Sequence, residues 1–472
     1  MGLSQAMKRP ATEARLTTSA WFALAAYSML WYVLSPLILV YLLYRGIRQP
    51  DYRKHWGERF ASSLPSFEEI PADKFKGLIW VHTVSLGETR AATSLLQAIR
   101  RAYPDHRLLL SHGTPTGREA GAAILATLGY QKGQTLQLYL PYDRPKAIDQ
   151  FFVRYRPQIG LIIETEVWPN LMNRAKAYNT AMILLSARLS EKSLKKALRY
   201  KPLIEPALLG FKQIICQTEQ DLKRIKTVAS DAVGMVCGNL KFDLELSQDL
   251  LRQGEQWRAV RPSAYQAHDA RPLVLRSSPA WVLAASTREG EEELLIEQWL
   301  NLSAKTKASV VLAIIPRHPQ RFEQVAQLLE RRCKGQWIRR TDPAFPQFQL
   351  PTTIVLGDSL GEMAAWYALS DVVVMGGSLI NTGSQNLIEA CAAGRPVILG
   401  PSIYNFAQAA HQAISAGAAI QTQTSEVLRL ALELLENPKR LDAMGQAAKT
   451  FVAAHQGATA RVMAAIEPYL TR

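Results

Sequence analysis

Two series of short, uninterrupted apolar runs, each run followed by an amphipathic stretch, constrain this chain more than any other feature. The first series reads GLIWVHT (77–83), RLLLSHG (107–113), LQLYLP (136–141), IGLIIETE (159–166), AMILLSA (181–187) and QIICQT (213–218). Strands that are apolar on both faces belong in a parallel sheet covered by helices on each side. Glu88–Tyr103 and Lys192–Leu209 have the pattern of such covering helices. The rhythm stops over 243–280, a polar stretch with Pro262, Pro272 and Pro279, which predicts an interdomain connection. It resumes with WVLAAST (281–287), ASVVLAIIP (308–316), TTIVLG (352–357), DVVVMGG (371–377) and RPVILG (395–400). The expected architecture is α/β, with two doubly wound, Rossmann-like domains. Ligands of such sheets gather at the carboxyl ends of the strands, so the residues there carry the functional information.

Ahead of both series, Leu16–Tyr44 contains no charged residue. Roughly 20 apolar residues suffice to cross a bilayer, and no small-residue cleavage site follows, so a membrane anchor is expected over 16–44. Trp21, Trp31, Tyr32 and Tyr44 suit the interface, and Pro36 predicts a kink. Arg45, Arg48, Arg53, Lys54 and Arg59 follow the segment, against Lys8, Arg9 and Arg15 before it. That bias places the large C-terminal part in the cytoplasm. A helix that dips into one leaflet without crossing fits the same pattern.

The formal charge of +15 attracts polyanions: anionic headgroups, phosphorylated substrates or nucleic acid. No zinc-finger, RNP-like or helix-turn-helix pattern accompanies it, so nucleic acid is not expected as a partner. Cys216, Cys237, Cys333 and Cys391 are widely spaced and read as reduced, buried thiols. GxxxxGK[ST] and HExxH are missing and no carboxylate cluster has ligand spacing, so neither a metal nor a cofactor is expected.

Several clusters sit at strand ends. HTVSLGETR places His82, Ser85, Gly87 and Glu88 directly after a strand. Glu88 in a helical first turn complements the dipole, or serves as a general base within reach of a hydroxyl. In HGTPTGRE, Thr116 is a plausible helix cap. In IIETEVWPN, Glu164 and Glu166 are expected within the strand end, on opposite faces, and Arg188 of the next strand is a candidate ion-pair partner. Two carboxylates there must be paired, solvated or used. Lys241 in GNLKFD could meet a phosphate or carboxylate, or be an ordinary surface lysine. In the second half, Arg317 and His318 follow a strand, and arginine there suits bidentate anion recognition. GGSLINTGSQNLIEA, with Gly376, Gly377 and Gly383, allows close backbone approach to a phosphate at a helix expected from Ser384. Asn386 and Glu389 would share a face of that helix and could meet sugar hydroxyls, Glu389 being otherwise a surface ion-pair residue.

In this order the clusters resemble the 3-deoxy-D-manno-octulosonic acid (Kdo) transferases of lipopolysaccharide synthesis. The resemblance runs through YRKHWGERF, HTVSLGE, YLPYDRP, ETEVWPN, ARLS, GNLKFD, PRHPQRF, GDSLGEM, GSQNLIEA and GPSIYNF, nearly the whole chain. It implies a GT-B glycosyltransferase fold, two Rossmann-like domains facing a cleft with an N-terminal membrane-anchor helix. The implied reaction is inverting transfer of Kdo from CMP-Kdo to a lipid A precursor (lipid IVA), with release of CMP, at the cytoplasmic side of a bacterial inner membrane. By matching motif, Glu88 is the proton acceptor, and Glu164 and Lys241 stabilise the transition state. Pro316, Arg317, Leu360, Gly361, Glu362, Asn386, Leu387, Ile388 and Glu389 match CMP-binding positions. The partners expected are the donor, the lipid acceptor and an anionic membrane surface, which Lys192, Lys195, Lys196, Arg199 and Lys201 could approach. Domain boundaries fall at 1–15 (tail), 16–44 (anchor), 45–245 (acceptor domain), 246–280 (linker) and 281–472 (donor domain). The chain departs from the family pattern where GSQNLIE replaces GGHNPLE and STREGE, with Arg288, replaces STHEGE. Sugar-nucleotide 2-epimerases share the two-domain architecture but predict no anchor. A lipid-binding scaffold would keep its role without Glu88.

Overall fold

The computed structural model describes residues 16–67, 74–260, 279–348 and 353–470. The expected tail 1–15 and residues 261–278 of the expected linker lie outside them. The chain divides into two compact units, Met1–Leu244 with His455–Arg472, and Glu245–Ala454.

The first unit is built on seven parallel strands, β1 (Gly77–Thr83), β2 (His106–His112), β3 (Thr135–Tyr139), β4 (Ile159–Ile163), β5 (Ala181–Ala187), β6 (Gln213–Cys216) and β7 (Gly234–Val236). Their order is β3-β2-β1-β4-β5-β6-β7, so the winding reverses between β1 and β4. Alternate side chains of β1 enter two separate cores. Leu78 and Trp80 pack with Phe151, Phe152 and Leu171 on one face, while Ile79 and Val81 pack with Leu95, Ile99 and Val462 on the other. This is why the strands read as unbroken apolar runs. Pro115, Pro145 and Pro169 each open a helix in the first turn, where a missing N–H is harmless.

The second unit has β8 (Ala280–Thr287), β9 (Val310–Pro316), β10 (Trp337–Arg339), β11 (Ile354–Leu356), β12 (Val372–Met375), β13 (Val397–Leu399) and β14 (Ala419–Gln421). They are again all parallel, in the order β10-β11-β9-β8-β12-β13-β14, with the reversal between β8 and β12. The strands not anticipated from sequence are β7, β10 and β14, each of 3 residues. Three residues show no periodicity, and β11 and β13, equally short, are legible only through the apolar runs TTIVLG and RPVILG that hold them.

Two segments depart from the expected boundaries. Gln248–Val260, expected as linker, is a helix of the second unit. Its Gly254 approaches Met363–Leu369 so closely that a Cβ there would lie 2.2 Å from the Ala365 carbonyl oxygen. Arg258 fixes the contact by donating to the Leu369 and Ser370 carbonyls and to Asp371. Residues 455–470, expected in the second domain, belong to the first unit: Ala458, Val462, Ile466 and Leu470 complete its β1/β2 core. Asp243 accepts hydrogen bonds from the N–H groups of Gly457 and Thr459, and Arg461 donates to the Cys237 carbonyl.

The apolar N-terminal segment forms one helix, Thr18–Arg48, capped by the Thr17 hydroxyl and running on through Pro36. Thr18–Ile47 is long and apolar enough to cross a membrane, with mean hydropathy 1.8. One flank rests on the first unit. Ser28 lies 2.8 Å from the Asn170 side-chain oxygen, Trp31 stacks on Tyr142, and Arg144 sits over the Tyr32 ring. Trp21, Phe22, Met29, Val33, Leu37 and Ile47 are exposed.

Candidate active site

In the first unit the proposed base stands just past the end of β1. Ser85 caps the short helix Leu86–Ala91, and Glu88 is its third residue. The Ser85 hydroxyl accepts from the Glu88 N–H at 3.4 Å and donates to Glu88 Oε1 at 2.9 Å, while the Val84 N–H donates to Oε2 at 2.6 Å. Burial raises the Glu88 carboxyl above its ordinary range, and the charges of Glu164 and Glu166 push the same way. The Val84 N–H and the Ser85 hydroxyl oppose this without cancelling it. The helix-end role thus falls to a carboxylate that burial and two neighbouring charges hold toward its protonated form. An ordinary exposed capping carboxylate would feel neither the burial nor the two neighbouring charges.

Glu164 corrects the strand-end expectation. β4 stops at Ile163, and Glu164 adopts a left-handed φ of 68° in the turn that follows. Residues two apart in a strand share a face, and here both Glu164 and Glu166 lie near enough to act on Glu88. Glu164 pairs with Lys241 Nζ at 2.7 Å rather than with Arg188, which is exposed. Glu166 accepts from the Trp168 indole at 2.5 Å, and burial raises its carboxyl. Lys241 lies in the turn Leu240–Phe242, and its N–H donates to the capping Asn239 side chain at 3.0 Å. The GNLKFD segment thus delivers its lysine to the end of β4, although β7, from which it departs, is the far edge strand.

His82 is buried in the sheet, where burial pushes it down to about 4; its Nδ1 bonds the Ser111 hydroxyl at 2.8 Å. It is a core histidine. The cap of the helix Pro115–Thr127 is Thr114, not Thr116, and the Thr114 hydroxyl also donates to the Val84 carbonyl. Sequence reading missed what YRKHWGERF does. Glu58 is buried between Arg118 (2.6 Å) and the Tyr139 N–H (2.8 Å), and Arg59 lies over the Tyr139 ring while donating to the Gly113 carbonyl. These bonds join the segment after the apolar helix to the loop that packs against Val84. Charged residues that become fully enclosed give no signal in a single sequence.

In the second unit the expected nucleotide positions fall along the carboxyl ends of neighbouring strands. Pro316 ends β9, and the Arg317 N–H donates to the Thr287 carbonyl. Leu360, Gly361 and Glu362 follow β11; Leu360 is exposed, Gly361 has φ 81°, and Glu362 accepts from Arg340 and Ser359. The loop after β12 stays irregular through Asn386, and its helix starts at Ile388, not near Ser384. Asn386 donates to Glu389 at 3.1 Å and accepts from the Ile388 N–H, so these two residues are joined through a turn rather than along a helix face. Leu387 and Ile388 are enclosed and offer only backbone. Arg288, in the STREGE departure, bonds His318, and three neighbouring arginines (288, 317 and 321) hold that imidazole below its ordinary range, after burial itself.

The residue that organises this region was not singled out from sequence. Glu291, wholly buried, accepts from the N–H groups of Arg288 (2.8 Å), Gly377 (2.7 Å) and Leu379 (2.9 Å). It ties the end of β8 to the glycine loop after β12. The available signal was a run of three acidic residues at a helix start, Glu291, Glu292 and Glu293, which ordinarily reads as dipole compensation. Among the described residues no group of His, Cys, Asp and Glu is placed to hold a metal ion.

Two all-parallel seven-stranded sheets covered by helices make the GT-B fold, here preceded by one apolar N-terminal helix. The same fold appears in a putative UDP-N-acetylglucosamine 2-epimerase from Listeria monocytogenes (TM-score 0.51, 15% identity, covering 83% of this chain and 95% of that one). Residues 54–244 match the family described as "3-Deoxy-D-manno-octulosonic-acid transferase (kdotransferase)". The 3-deoxy-D-manno-octulosonic acid transferase of Bordetella pertussis is 42% identical over 397 residues, 83% of this chain and 87% of that protein. That of Haemophilus influenzae is 30% identical over 453 residues, 94% and 98% respectively. The chain belongs to the Kdo transferase family, glycosyltransferases of lipopolysaccharide synthesis.

Proposed function

We propose that the protein transfers Kdo from CMP-Kdo to a lipid A precursor with inversion at the sugar, releasing CMP. The observation that carries this reading is Glu88. It is a carboxylate held at a strand end by two hydrogen bonds, raised toward neutrality, with the Glu164–Lys241 pair close by. A base so tuned takes the acceptor hydroxyl proton as the oxygen attacks from the face opposite the leaving group. Lys241, partnered rather than free, supplies positive charge where the donor carboxylate or the departing phosphate gathers negative charge, and Glu164 orients it. On the donor side, Pro316 and Arg317, Leu360–Glu362 and Asn386–Glu389 hold CMP. Arginine and backbone N–H groups meet its phosphate, and the Asn386–Glu389 pair meets ribose hydroxyls.

The N-terminal helix keeps the enzyme at the cytoplasmic face of the inner membrane. Its contacts through Ser28, Trp31 and Tyr32 to Asn170, Tyr142 and Arg144 favour a helix lying in one leaflet. Asp143, Arg144 and Asn170 would otherwise be drawn into hydrocarbon, where charged groups are costly. The exposed apolar flank would then enter the lipid, with Lys192, Lys195, Lys196, Arg199 and Lys201 available to anionic headgroups.

The test is incubation of the purified protein with CMP-Kdo and a tetra-acylated lipid A precursor, with CMP release and product mass as readouts. Transfer by the wild type and its loss in Glu88→Gln, with the variant folded and still binding CMP, is the expected result. An active Glu88→Gln variant removes the base assignment, and a changed sugar without acceptor would favour the epimerase reading.

A further inference from the structure

Beneath the Glu88 loop runs a buried chain of hydrogen bonds that the reaction as described does not use. The Gln137 amide nitrogen donates to the Arg118 carbonyl at 3.2 Å and lies 3.0 Å from His112 Nε2. His112 Nδ1 is 3.1 Å from the Thr83 hydroxyl, which is 2.8 Å from the Thr89 hydroxyl. Thr89 in turn donates to the Ser85 carbonyl at 2.9 Å. His112, Thr83 and Thr89 are completely enclosed.

The two ends fix every proton between them. An amide NH2 can only donate and a carbonyl can only accept. His112 Nε2 is therefore an acceptor, its Nδ1–H donates to Thr83, Thr83 donates to Thr89, and Thr89 donates to Ser85. Each hydroxyl gives one bond and receives one. A second proton on the imidazole would face the Gln137 amide donor, and burial independently pushes His112 down to about 3, so the ring stays neutral. The chain ends on the residue whose own hydroxyl holds Glu88 Oε1. Gly121 closes the other side, for a Cβ there would lie 2.5 Å from the Gln137 nitrogen and 2.7 Å from the imidazole.

We propose that His112, through Thr83 and Thr89, is a positioning residue for the transfer reaction: the chain sets the place of Ser85 and thereby of the Glu88 carboxylate. The proposal rests on Glu88 acting as the base. It assigns the buried polar chain a role in turnover rather than in fold alone, because the chain ends on Ser85, whose hydroxyl holds Glu88 Oε1.

The experiment separates the hydroxyls from the volume they fill. Thr83→Val and Thr89→Val keep the shape and break the chain, whereas Thr83→Ser and Thr89→Ser keep the hydroxyl and lose a methyl group. The assay is steady-state transfer from CMP-Kdo to a tetra-acylated lipid A precursor, with thermal melting and CMP affinity measured alongside. Each valine variant is expected to lose kcat by roughly 10- to 100-fold, the scale of a misplaced catalytic group, with KM for the donor unchanged. The double valine variant should be no worse than either single one, since one break already interrupts the chain. Serine variants should retain most of kcat despite melting lower. Valine variants with normal kcat, or serine variants as impaired as valine ones, would overturn the proposal. If one valine variant fails to fold, the other and His112→Phe interrupt the same chain. Glu88→Gln runs in parallel: if it is active, the base reading and this proposal both fall, whereas an inactive Glu88→Gln beside normal valine variants removes the positioning role alone.

Discussion

Glu291→Gln is the sharpest probe of the second unit, because it changes one atom at a point where three backbone donors converge. Oε2 accepts from Arg288 and Gly377, and Oε1 accepts from Leu379. A glutamine oriented to keep the first two bonds turns its NH2 toward the Leu379 N–H, leaving one buried donor unsatisfied, at about 1–3 kcal/mol. The two remaining bonds change from charge-assisted to neutral, and each weakens by about 1 kcal/mol. Relief from enclosing a full charge offsets part of this, so the net loss is about 2–4 kcal/mol. For a unit of this size that lowers Tm by roughly 5–15 °C. The same change loosens the loop around Gly377, which adjoins the proposed CMP residues. The assay is differential scanning calorimetry of the detergent-solubilised protein with and without CMP, together with CMP titration calorimetry. Expected are a lower transition, weaker CMP binding and a larger stabilisation of the wild type than of the variant by the same CMP concentration. A variant with unchanged melting and unchanged CMP affinity would refute the reasoning, since it would mean that the three donors find other partners at no loss.

Gly254→Ala forces a methyl group against the Ala365 carbonyl, a backbone atom that cannot step aside, so roughly 1–3 kcal/mol of destabilisation is expected by urea denaturation. An unaffected midpoint would show that Gln248–Val260 is not packed as described. Lys241→Met should cut transfer at least roughly 100-fold. The Lys241–Glu164 pair is only about a quarter exposed, so leaving Glu164 unpaired should also cost about 1–3 kcal/mol of stability; that loss with normal turnover would reverse the assignment. Asp143 is raised from 3.8 to about 6 by burial, against the N–H bonds from Asn170 and Leu171 that pull it down. The folded state thus holds this proton more tightly than the unfolded chain. Its contribution is full below the ordinary aspartate range and declines as pH rises through about 4 to 6, by on the order of 3 kcal/mol. The difference in urea midpoint between wild type and Asp143→Asn should shift across that interval, and a constant difference would contradict the assignment.

The architecture was legible because burial on both faces leaves its mark in composition. β1, β2, β4, β5, β8, β9 and β12 all coincide with runs of Leu, Ile, Val and Ala. What escaped was decided by contacts distant in sequence. Gln248–Val260 reads as polar connection because only Gly254, Trp257 and a few neighbours meet the second unit. The return of residues 455–470 depends on Asp243, more than two hundred positions earlier. At the candidate site, Glu88 and Lys241 were visible as unusual residues at strand and segment ends. The partner of Lys241 was not, since Arg188 and Glu164 are nearer in sequence and only the left-handed turn at Glu164 aims that carboxylate elsewhere. Thr114 rather than Thr116 is the cap because Pro115 takes the first helical position and the Thr114 hydroxyl accepts from the Gly117 N–H. The His112 chain left no trace at all. Histidine, threonine and glutamine scattered over three strands become one object only when the sheet brings them side by side.

The return of the C-terminal segment changes what a late stop codon would do. Losing residues 455–472 would leave every strand of the second sheet intact and injure the first unit instead. Ala458, Val462, Ile466 and Leu470 would vanish from the wall facing Leu95 and Ile99. Asp243, two residues beyond Lys241, would lose both N–H donors, and Phe242 its stacking partner His455. A gene cut in the middle to express the front half alone makes the same omission. The smallest faithful piece of the first unit is a chimera, residues 16–244 joined by a short spacer to 455–470. The second unit, by contrast, can be lifted out as one uninterrupted stretch, 245–454.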